Sequence, residues 1–219
     1  MYFKYSCFLS YRHGDKTMAT FANQIVEALA DELAMLLGDY KSLPIFKDDR
    51  SMEVGDKIDP AIAQALCQSV CMLVIYTPNY LSEEKLYCAS ELEGMLRAEQ
   101  QRLAKITGAN PKTGLLITVI LRGDRESLPQ ILQDRENEDF SAFALYSSEI
   151  RRNRKFAPQV QQIAKKIQSY CAMFDKKEDW CSACQDFTLL DIKTQHDQLN
   201  KFLKTVKEGK MYVPDFDRS

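Results

Sequence analysis

Residues 70–76 read Val-Cys-Met-Leu-Val-Ile-Tyr, a nearly unbroken apolar run of a length that suits a strand. A strand that is apolar at almost every position is typical of a parallel sheet covered by helices on both faces. Residues 115–121, Leu-Leu-Ile-Thr-Val-Ile-Leu, have the same character. Two such strands predict the interior of one parallel sheet.

Working outward from residues 70–76, strands alternate with helices along the chain. The further predicted strands are 5–9, 43–46 and, as a weak fifth, Phe143–Tyr146; the predicted helices are 21–36, 58–66, a helix from Ser82 to about Leu103, and 160–167. Alternation of this kind indicates βαβ units. Right-handed crossovers then give an α/β fold with a flavodoxin-like, doubly wound, five-stranded parallel sheet.

The 219 residues suit one domain of ordinary size with an appendage. We expect the sheet and its helices to occupy residues 1–172. Residues 173–219 match no strand pattern, and residues 187–206 supply their apolar positions. We therefore predict a helical C-terminal extension over residues 173–219.

Composition and charge argue against nucleic-acid binding, membrane association and secretion. The net charge of -2 gives no general attraction to nucleic acid or to an anionic membrane. No stretch approaches the ~18 apolar residues of a membrane span, and the run from Tyr5 to Tyr11 is too short for a signal peptide. Seven scattered cysteines, an odd number, indicate mostly free thiols in a reducing setting. We expect a cytoplasmic protein.

The common nucleotide-binding fingerprints are absent from the sequence. No G-x-G-x-x-G follows the first strand, and G-x-x-x-x-G-K-[ST] does not occur, which disfavours a Rossmann dehydrogenase and a P-loop NTPase. Ser10, His13 and Asp15 contain the letters of a catalytic triad. They lie within six residues of one another, whereas a working triad is assembled from separate elements, so we do not favour that interpretation.

A zinc site is the other motif-based alternative. Cys181 and Cys184 form a C-x-x-C pair, and Cys171 and His196 could complete four ligands. One such pair with irregular partners is a weak signal, and packed thiols are the favoured interpretation. We predict no metal.

A sharper group of residues lies on the helix after the third strand, where residues 87–92 read Tyr-Cys-Ala-Ser-Glu-Leu. Tyr87 and Glu91 are four residues apart and therefore share one face of the helix. An aromatic ring beside a carboxylate near the carboxyl ends of parallel strands lies where this kind of fold binds its ligand. Taken alone, the pair also suits a solvated glutamate next to a half-buried tyrosine.

Three segments together resemble the boxes of the TIR (Toll/interleukin-1 receptor) domain family. Phe8-Leu9-Ser10-Tyr11-Arg12 is similar to its first-strand box, F-[IL]-S-Y. Residues 46–55 are similar to its second strand and BB loop, and residues 56–69 to the D-x-I-x-x-A-I continuation with the serine before strand three. Residues 87–92 resemble the W-C-x-x-E-L box, with Tyr87 in place of tryptophan. Order and spacing agree from residue 5 to about residue 121.

The resemblance implies a site, because part of the family cleaves NAD+. The glutamate of the W-C-x-x-E box is catalytic in those enzymes, and Glu91 holds that position here. The resemblance also assigns substrate binding to a set of mostly aromatic residues: Phe8, Tyr11, Arg12, His13, Phe46 and Tyr87. In the family the BB loop contacts a neighbouring TIR domain, which gives Arg50, Met52, Val54 and Gly55 a role in self-association.

The chemistry of NAD+ explains why one carboxylate is enough. Ordinary glycoside hydrolysis uses two carboxyl groups because its leaving group must be protonated. Nicotinamide leaves NAD+ as a neutral molecule, so no general acid is required. A carboxylate near the ribose then stabilises the cation that remains, and attack by water gives ADP-ribose, whereas internal attack gives a cyclic isomer. NAD+ is a substrate in this scheme, and no cofactor is expected.

Two other functions remain in competition with NAD+ cleavage. One is a non-catalytic scaffold that only docks other TIR domains, although a scaffold has no need of Glu91, Phe46 and Tyr87 together. The other is a phosphoacceptor domain, which requires an acidic pocket after strand one and an aspartate ending strand three, and this sequence has neither. The chain resembles stand-alone bacterial TIR proteins of antiphage defence, which implies a separate effector that responds to the nucleotide product.

Overall fold

The computed structural model describes residues 3–37, 43–48, 60–83, 86–106, 114–143, 150–174, 178–210 and 212. The strands are β1 (Tyr5–Tyr11), β2 (Ile45–Lys47), β3 (Ser69–Tyr76), β4 (Leu116–Ile120) and β5 (Glu136–Asp139). The helices are α1 (Lys16–Leu36), α2 (Pro60–Cys67), α3 (Tyr87–Leu103), α4 (Gln130–Gln133), α5 (Phe156–Met173) and α6 (His196–Lys207).

The five strands form one sheet in the order β2-β1-β3-β4-β5, and every pair is parallel. This order confirms the flavodoxin-like, doubly wound α/β fold. The order reverses between β1 and β3, where Phe8 pairs with Met72. Ligands of doubly wound sheets bind at the carboxyl ends of the strands at such a reversal.

Alternation along β1 sends its side chains into two separate cores. Cys7, Leu9 and Tyr11 belong to the core between the sheet and helices α1 and α5. Phe8 belongs to the opposite core, which also contains residues of α2, α3 and α6. Because successive side chains of a strand point to opposite faces, Ser10 lies on the same face as Phe8. β1 runs to Tyr11, two residues further than predicted, and this extension places Ser10 within the sheet.

The fifth strand is not where the sequence predicted it. β5 is the polar segment Glu136–Asp139, whereas Phe143 lies in a turn and residues 144–146 fall outside the described residues. The strand lies at the edge of the sheet and gains its pairing from backbone bonds to β4, so it needs no apolar pattern. Phe143 instead packs in the core against Phe140 and Phe156.

The beginning of α3 also differs from the prediction. Ser82 was expected to start this helix, but α3 begins at Tyr87, after Leu86, which provides no side-chain cap. The preceding residues form turns in which the amide of Tyr80 donates to the carbonyl oxygen of Thr77. These turns bury Tyr80 almost completely, so the chain reaches the helix later than its polar pattern suggests.

The C-terminal segment packs directly on α3. The hydroxyl of Ser90 donates to the carbonyl oxygen of Leu190 at 2.7 Å, and Arg97 donates to that of Thr188 at 2.7 Å. A Cβ atom added at Gly94 would lie 2.2 Å from Cδ2 of Leu189, so any larger residue would force the Leu189 side chain to shift. The segment contains the predicted helix, α6, while the domain boundary at residue 173 stays a prediction.

The cysteines differ in one respect from the expected free thiols. Five are free and buried, but Cys67 at the end of α2 forms a disulfide with Cys184. The pair is 117 residues apart in sequence, and spacing alone gave no sign of it. Because Cys184 is bonded to Cys67, the zinc ligand set that the sequence analysis did not favour is incomplete. No group of three or more His, Cys, Asp or Glu side chains that could hold a metal occurs among the described residues. Within the same residues, no helix has the length and apolar character needed to cross a membrane.

Candidate functional site

Glu91 is a buried carboxylate on the second turn of α3. Its side chain faces the carboxyl end of β1, where the hydroxyl of Ser10 donates a hydrogen bond of 2.6 Å to Oε2. The same Ser10 hydroxyl lies 2.8 Å from the hydroxyl of Tyr80. Glu91 is only 5% exposed and makes no ion pair with any residue that the structure describes. Such a group is stable only if it stays neutral or meets a positive charge.

The surroundings of Glu91 change its proton affinity. Burial raises the pKa of its carboxyl group from 4.5 to about 8, and the nearby charge of Asp48 acts in the same direction. The hydrogen bond from Ser10 opposes this rise by stabilising the charged form. At neutral pH the group is therefore mostly protonated and is poised to ionise when a cation arrives.

Aromatic rings form a wall beside this carboxylate. The backbone N–H of His13 donates to the hydroxyl of Tyr87, which lies one turn before Glu91 on α3. The ring of His13 stacks on Tyr11 with centroids 4.2 Å apart and meets the edge of Tyr87 at 5.7 Å. Tyr11 and Tyr87 are buried, whereas His13 is half-buried. The loop after β1 is thus joined to the helix that carries Glu91.

A second aromatic group lies across β1 and β2. Phe46 stacks on Phe8 with centroids 5.2 Å apart and meets the edge of Tyr5 at the same distance. Phe8 is completely buried, so in this structure it supports Phe46 from beneath and offers no surface to a ligand. Phe46 is half-buried. Of the two rings, Phe46 is the more accessible.

A cleft of about 520 Å³ opens beside the aromatic wall, at the carboxyl ends of β1, β3 and β4. Its lining residues are Arg12, His13, Gly14, Asp15, Thr17, Met18, Thr77, Pro78, Asn79 and Arg122. Glu91 and Tyr87 are not among them. His13 therefore belongs both to the wall beside the carboxylate and to the cleft.

Comparison with known proteins identifies the part of the chain that holds these groups. Residues 4–107, which contain β1, β2, β3 and α3, match the model of the TIR domain. This matched part, just under half of the chain, is similar to a TIR domain.

The chain is also similar to a curated protein and to a solved structure. The TMV resistance protein N of Nicotiana glutinosa is 31% identical to this chain over 88 residues, which are 40% of the chain and 7% of that protein. The chain thus spans a small fraction of this relative. The structure of the TIR domains of the activated Roq1 resistosome, which directly recognises the pathogen effector XopQ, aligns with 92% of this chain and 96% of the matched chain, at 16% identity and a TM-score of 0.38.

The TIR boxes meet at one edge of the sheet. The structure brings Ser10 of the first-strand box within hydrogen-bonding distance of Glu91, and joins His13 to Tyr87. Arg12 lies apart from this contact in the lining of the cleft. The BB-loop residues Arg50, Met52, Val54 and Gly55 lie outside the described residues, so their predicted role in self-association stays a prediction.

Three residues of the candidate site around Glu91 were missed by the sequence analysis. Ser10 donates to Glu91, Tyr80 contacts Ser10, and the charge of Asp48 raises the pKa of Glu91. Ser10 was named only within the first-strand box and in a triad that was not favoured; Asp15 of that triad instead caps α1, accepting from the amide of Thr17 at 2.7 Å. Alternation along a longer β1 would have placed Ser10 on the face of Phe8 and thus toward α3.

Proposed function

We propose that this chain is an NAD+ glycohydrolase that breaks the bond between nicotinamide and ribose, with Glu91 as the catalytic carboxylate. The observation that carries the proposal is the state of Glu91. It is buried, receives one hydrogen bond from Ser10, and has no cationic partner among the described residues. A structural carboxylate in such a place is costly, whereas a catalytic one gains its partner when a cationic ribose forms.

The raised pKa of Glu91 suits this reaction. In the resting protein the group is mostly neutral near pH 7 because burial raises its pKa to about 8. A positive charge within a few ångströms favours the ionised form and lowers the pKa again, so Glu91 loses its proton to solvent when NAD+ binds with its cationic nicotinamide ring nearby. The carboxylate then stabilises the developing ribosyl cation in a site of low dielectric, while the Ser10 hydroxyl holds Oε2 in place.

Aromatic side chains supply the walls for nicotinamide. We assign this role to Tyr87, which lies one turn from Glu91, and to Phe46, whose ring is half-buried at the carboxyl end of β2. His13 extends the wall toward the cleft that Arg12 lines. Attack by water on the ribosyl cation gives ADP-ribose, and attack by the adenine or ribose of the same molecule gives a cyclic isomer.

We extend the proposal to signalling in antiviral defence, with self-association of the TIR domain and a separate effector that responds to the product. The name of the relative TMV resistance protein N supports a defence role. If self-association completes the site, specific activity should rise with enzyme concentration, in parallel with sedimentation of the same samples. Constant specific activity from a strictly monomeric protein would remove self-association from the proposal.

The direct test is incubation of the purified chain with NAD+, followed by chromatography and mass spectrometry of the products. We expect nicotinamide release by the wild type and at least 100-fold less by Glu91→Gln, because a neutral amide cannot stabilise the cation. Glu93→Gln is the matched control. It makes the same change on the same helix, at a buried glutamate that accepts from Tyr212 and Arg97 and lies outside the proposed machinery.

Two results would contradict the proposal. Glu91→Gln that releases nicotinamide at the wild-type rate would show that Glu91 is not the catalytic group. A folded wild-type protein that leaves NAD+ intact at every concentration tested would favour the alternative, a scaffold that only docks other TIR domains. The product masses also separate ADP-ribose from its cyclic isomers.

A further inference from the structure

Two hydroxyl groups and one carboxyl group form a continuous hydrogen-bond chain beside Glu91. Tyr80 lies in the turn after β3, and its hydroxyl is 2.8 Å from that of Ser10 on β1. The Ser10 hydroxyl in turn lies 2.6 Å from Oε2 of Glu91 on α3. Tyr80, Ser10 and Glu91 are only 1%, 1% and 5% exposed. The hydrogen-bond chain therefore joins three separate elements in a buried place.

Ionisation of Glu91 fixes the direction of both hydrogen bonds. A carboxylate can only accept, so the single hydrogen of the Ser10 hydroxyl must point to Glu91. The bond between Ser10 and Tyr80 then needs the hydrogen of Tyr80. Burial raises the pKa of the Tyr80 hydroxyl well above its usual range, so the hydroxyl keeps this hydrogen at neutral and alkaline pH. Tyr80 is thus the donor at the beginning of the hydrogen-bond chain.

The position of Tyr80 is fixed by its own turn and by the core. Its backbone amide donates to the carbonyl oxygen of Thr77 at 2.8 Å, and its ring centroid lies 6.3 Å from that of Tyr76. The ring belongs to the core that also contains residues of β1 and α3. A hydroxyl held in this way can orient Ser10 without moving itself.

We infer that Tyr80 is a positioning residue of the candidate site, which orients the Ser10 hydroxyl toward Glu91 and strengthens the hydrogen bond that Ser10 donates. Linked hydrogen bonds polarise one another, which strengthens each by roughly 10 to 30%. Because the bond from Ser10 stabilises the charged form of Glu91, Tyr80 lowers the proton affinity of Glu91 through Ser10. For its effect on catalysis this role rests on the proposed function, whereas the hydrogen-bond chain is a property of the protein without substrate.

Other titratable groups near Glu91 act differently. The charge of Asp48, after β2, raises the pKa of Glu91, which is opposite in sign to the effect of a donated hydrogen bond. On α3 itself, the hydroxyl of Tyr87 is engaged by an amide of the loop after β1. The thiol of Cys88 is a weak donor whose pKa burial raises. Tyr80 is thus the strong donor that the hydrogen-bond chain needs.

The test follows the proton affinity of Glu91 by NMR titration of the full chain with 13C-labelled glutamate carboxyl groups, without NAD+. The Glu91 signal is identified by its loss in Glu91→Gln. We expect Tyr80→Phe to raise the proton affinity of Glu91 roughly two- to fourfold, because the hydroxyl is lost while the ring stays. Tyr76→Phe is the matched control. It removes the hydroxyl of a neighbouring buried tyrosine, which donates to the carbonyl oxygen of Ser127, and should leave the titration unchanged.

A double variant shows whether Tyr80 acts through Ser10. Ser10→Ala should raise the proton affinity of Glu91 more than Tyr80→Phe does, and the two changes together should match Ser10→Ala alone. An additive rise in the double variant would show that Tyr80 does not act through Ser10. A wild-type titration in Tyr80→Phe, or an equal rise in Tyr76→Phe, would also overturn the inference.

Two further measurements cover a folding defect and a failure of the proposed function. If Tyr80→Phe does not fold, 3-fluorotyrosine at position 80 keeps both ring and hydroxyl. Its more acidic hydroxyl is a stronger donor, so the proton affinity of Glu91 should fall, and an unchanged or raised value would contradict the role. Where NAD+ is cleaved, the rise of kcat/KM with pH should move to higher pH in Tyr80→Phe. Absence of cleavage refutes the proposed function alone, because the carboxyl titration needs no substrate.

Discussion

Replacing Glu91 with glutamine should stabilise the protein at alkaline pH, although it removes the proposed catalytic group. The reason is the raised pKa of the buried carboxyl group, about 8 in the folded protein against 4.5 for an ordinary glutamate. Between these two pH values the folded state keeps its proton while the unfolded chain has lost it. The free energy of unfolding therefore falls as pH rises through this window and levels off above pH 8.

The size of the effect follows from the same pKa. A tenfold change in proton affinity corresponds to about 1.4 kcal/mol, so the full rise would cost roughly 5 kcal/mol once Glu91 is ionised. Water that enters the pocket on ionisation reduces this cost, and we expect a difference of about 2 to 5 kcal/mol at pH 9. At pH 5 the difference should be small, because the neutral carboxyl group and the amide are alike in shape and hydrogen bonding.

The assay is urea unfolding followed by circular dichroism at pH 5, 6, 7, 8 and 9 for the wild type, Glu91→Gln and the control Glu93→Gln. Other groups titrate in all three proteins, so the difference between wild type and variant isolates Glu91. Glu93→Gln controls for the same substitution on the same helix. A constant difference between Glu91→Gln and wild type from pH 5 to pH 9 would refute the assignment of a raised pKa to Glu91.

Three further predictions concern the site and its support. Ser10→Ala removes the bond that lowers the pKa of Glu91, so the rise of kcat/KM for NAD+ with pH should move to higher pH; an unmoved profile would argue against this role. Phe46→Ala and Tyr87→Ala should each reduce kcat/KM for NAD+ about tenfold, since aromatic stacking is worth roughly 1 kcal/mol beyond burial. Tyr87→Trp should retain activity. Impaired activity in Tyr87→Trp together with unimpaired activity in Tyr87→Ala would place Tyr87 outside the pocket. Cys67→Ser should lower the free energy of unfolding by about 4 to 5 kcal/mol in non-reducing buffer and by little in dithiothreitol, because only the first condition keeps the wild-type disulfide. An equal loss in both buffers would show that the variant is destabilised by lost side-chain packing and not by loss of the disulfide.

The sheet could be predicted because its central strands are apolar throughout. β3 and β4 carry their signal in their own residues, and their alternation with helices fixes parallel order. β5 carries none. Its residues, Glu-Asn-Glu-Asp, form a strand only because β4 presents free backbone groups beside them. An edge strand that forms only by pairing with a neighbouring strand cannot be predicted from the residue pattern of its own segment.

The candidate site was predictable in part. The spacing of Tyr87 and Glu91 on one helix face follows from helical geometry, and the family resemblance pointed to Glu91. The contact of Glu91 with Ser10 joins residues 81 positions apart, and no local pattern reports such a pairing. Glu91 is buried only because the sheet and the helices pack together, so its burial could not be predicted from the local sequence either. The sequence suggested a solvated glutamate or a catalytic one, and only the structure supplies its environment.

The glycine at position 94 has a mechanical consequence for the helix that carries Glu91. Leu189 lies so close to Gly94 that the C-terminal segment and the sheet clamp α3 between them. Contacts on both sides restrain sliding or rolling of this helix. Among the described contacts near Glu91, the bond from the His13 amide to the Tyr87 hydroxyl is one whose opening would expose the carboxylate without moving the helix. We therefore expect α3 to stay in place and the loop after β1 to move when Glu91 becomes accessible to solvent.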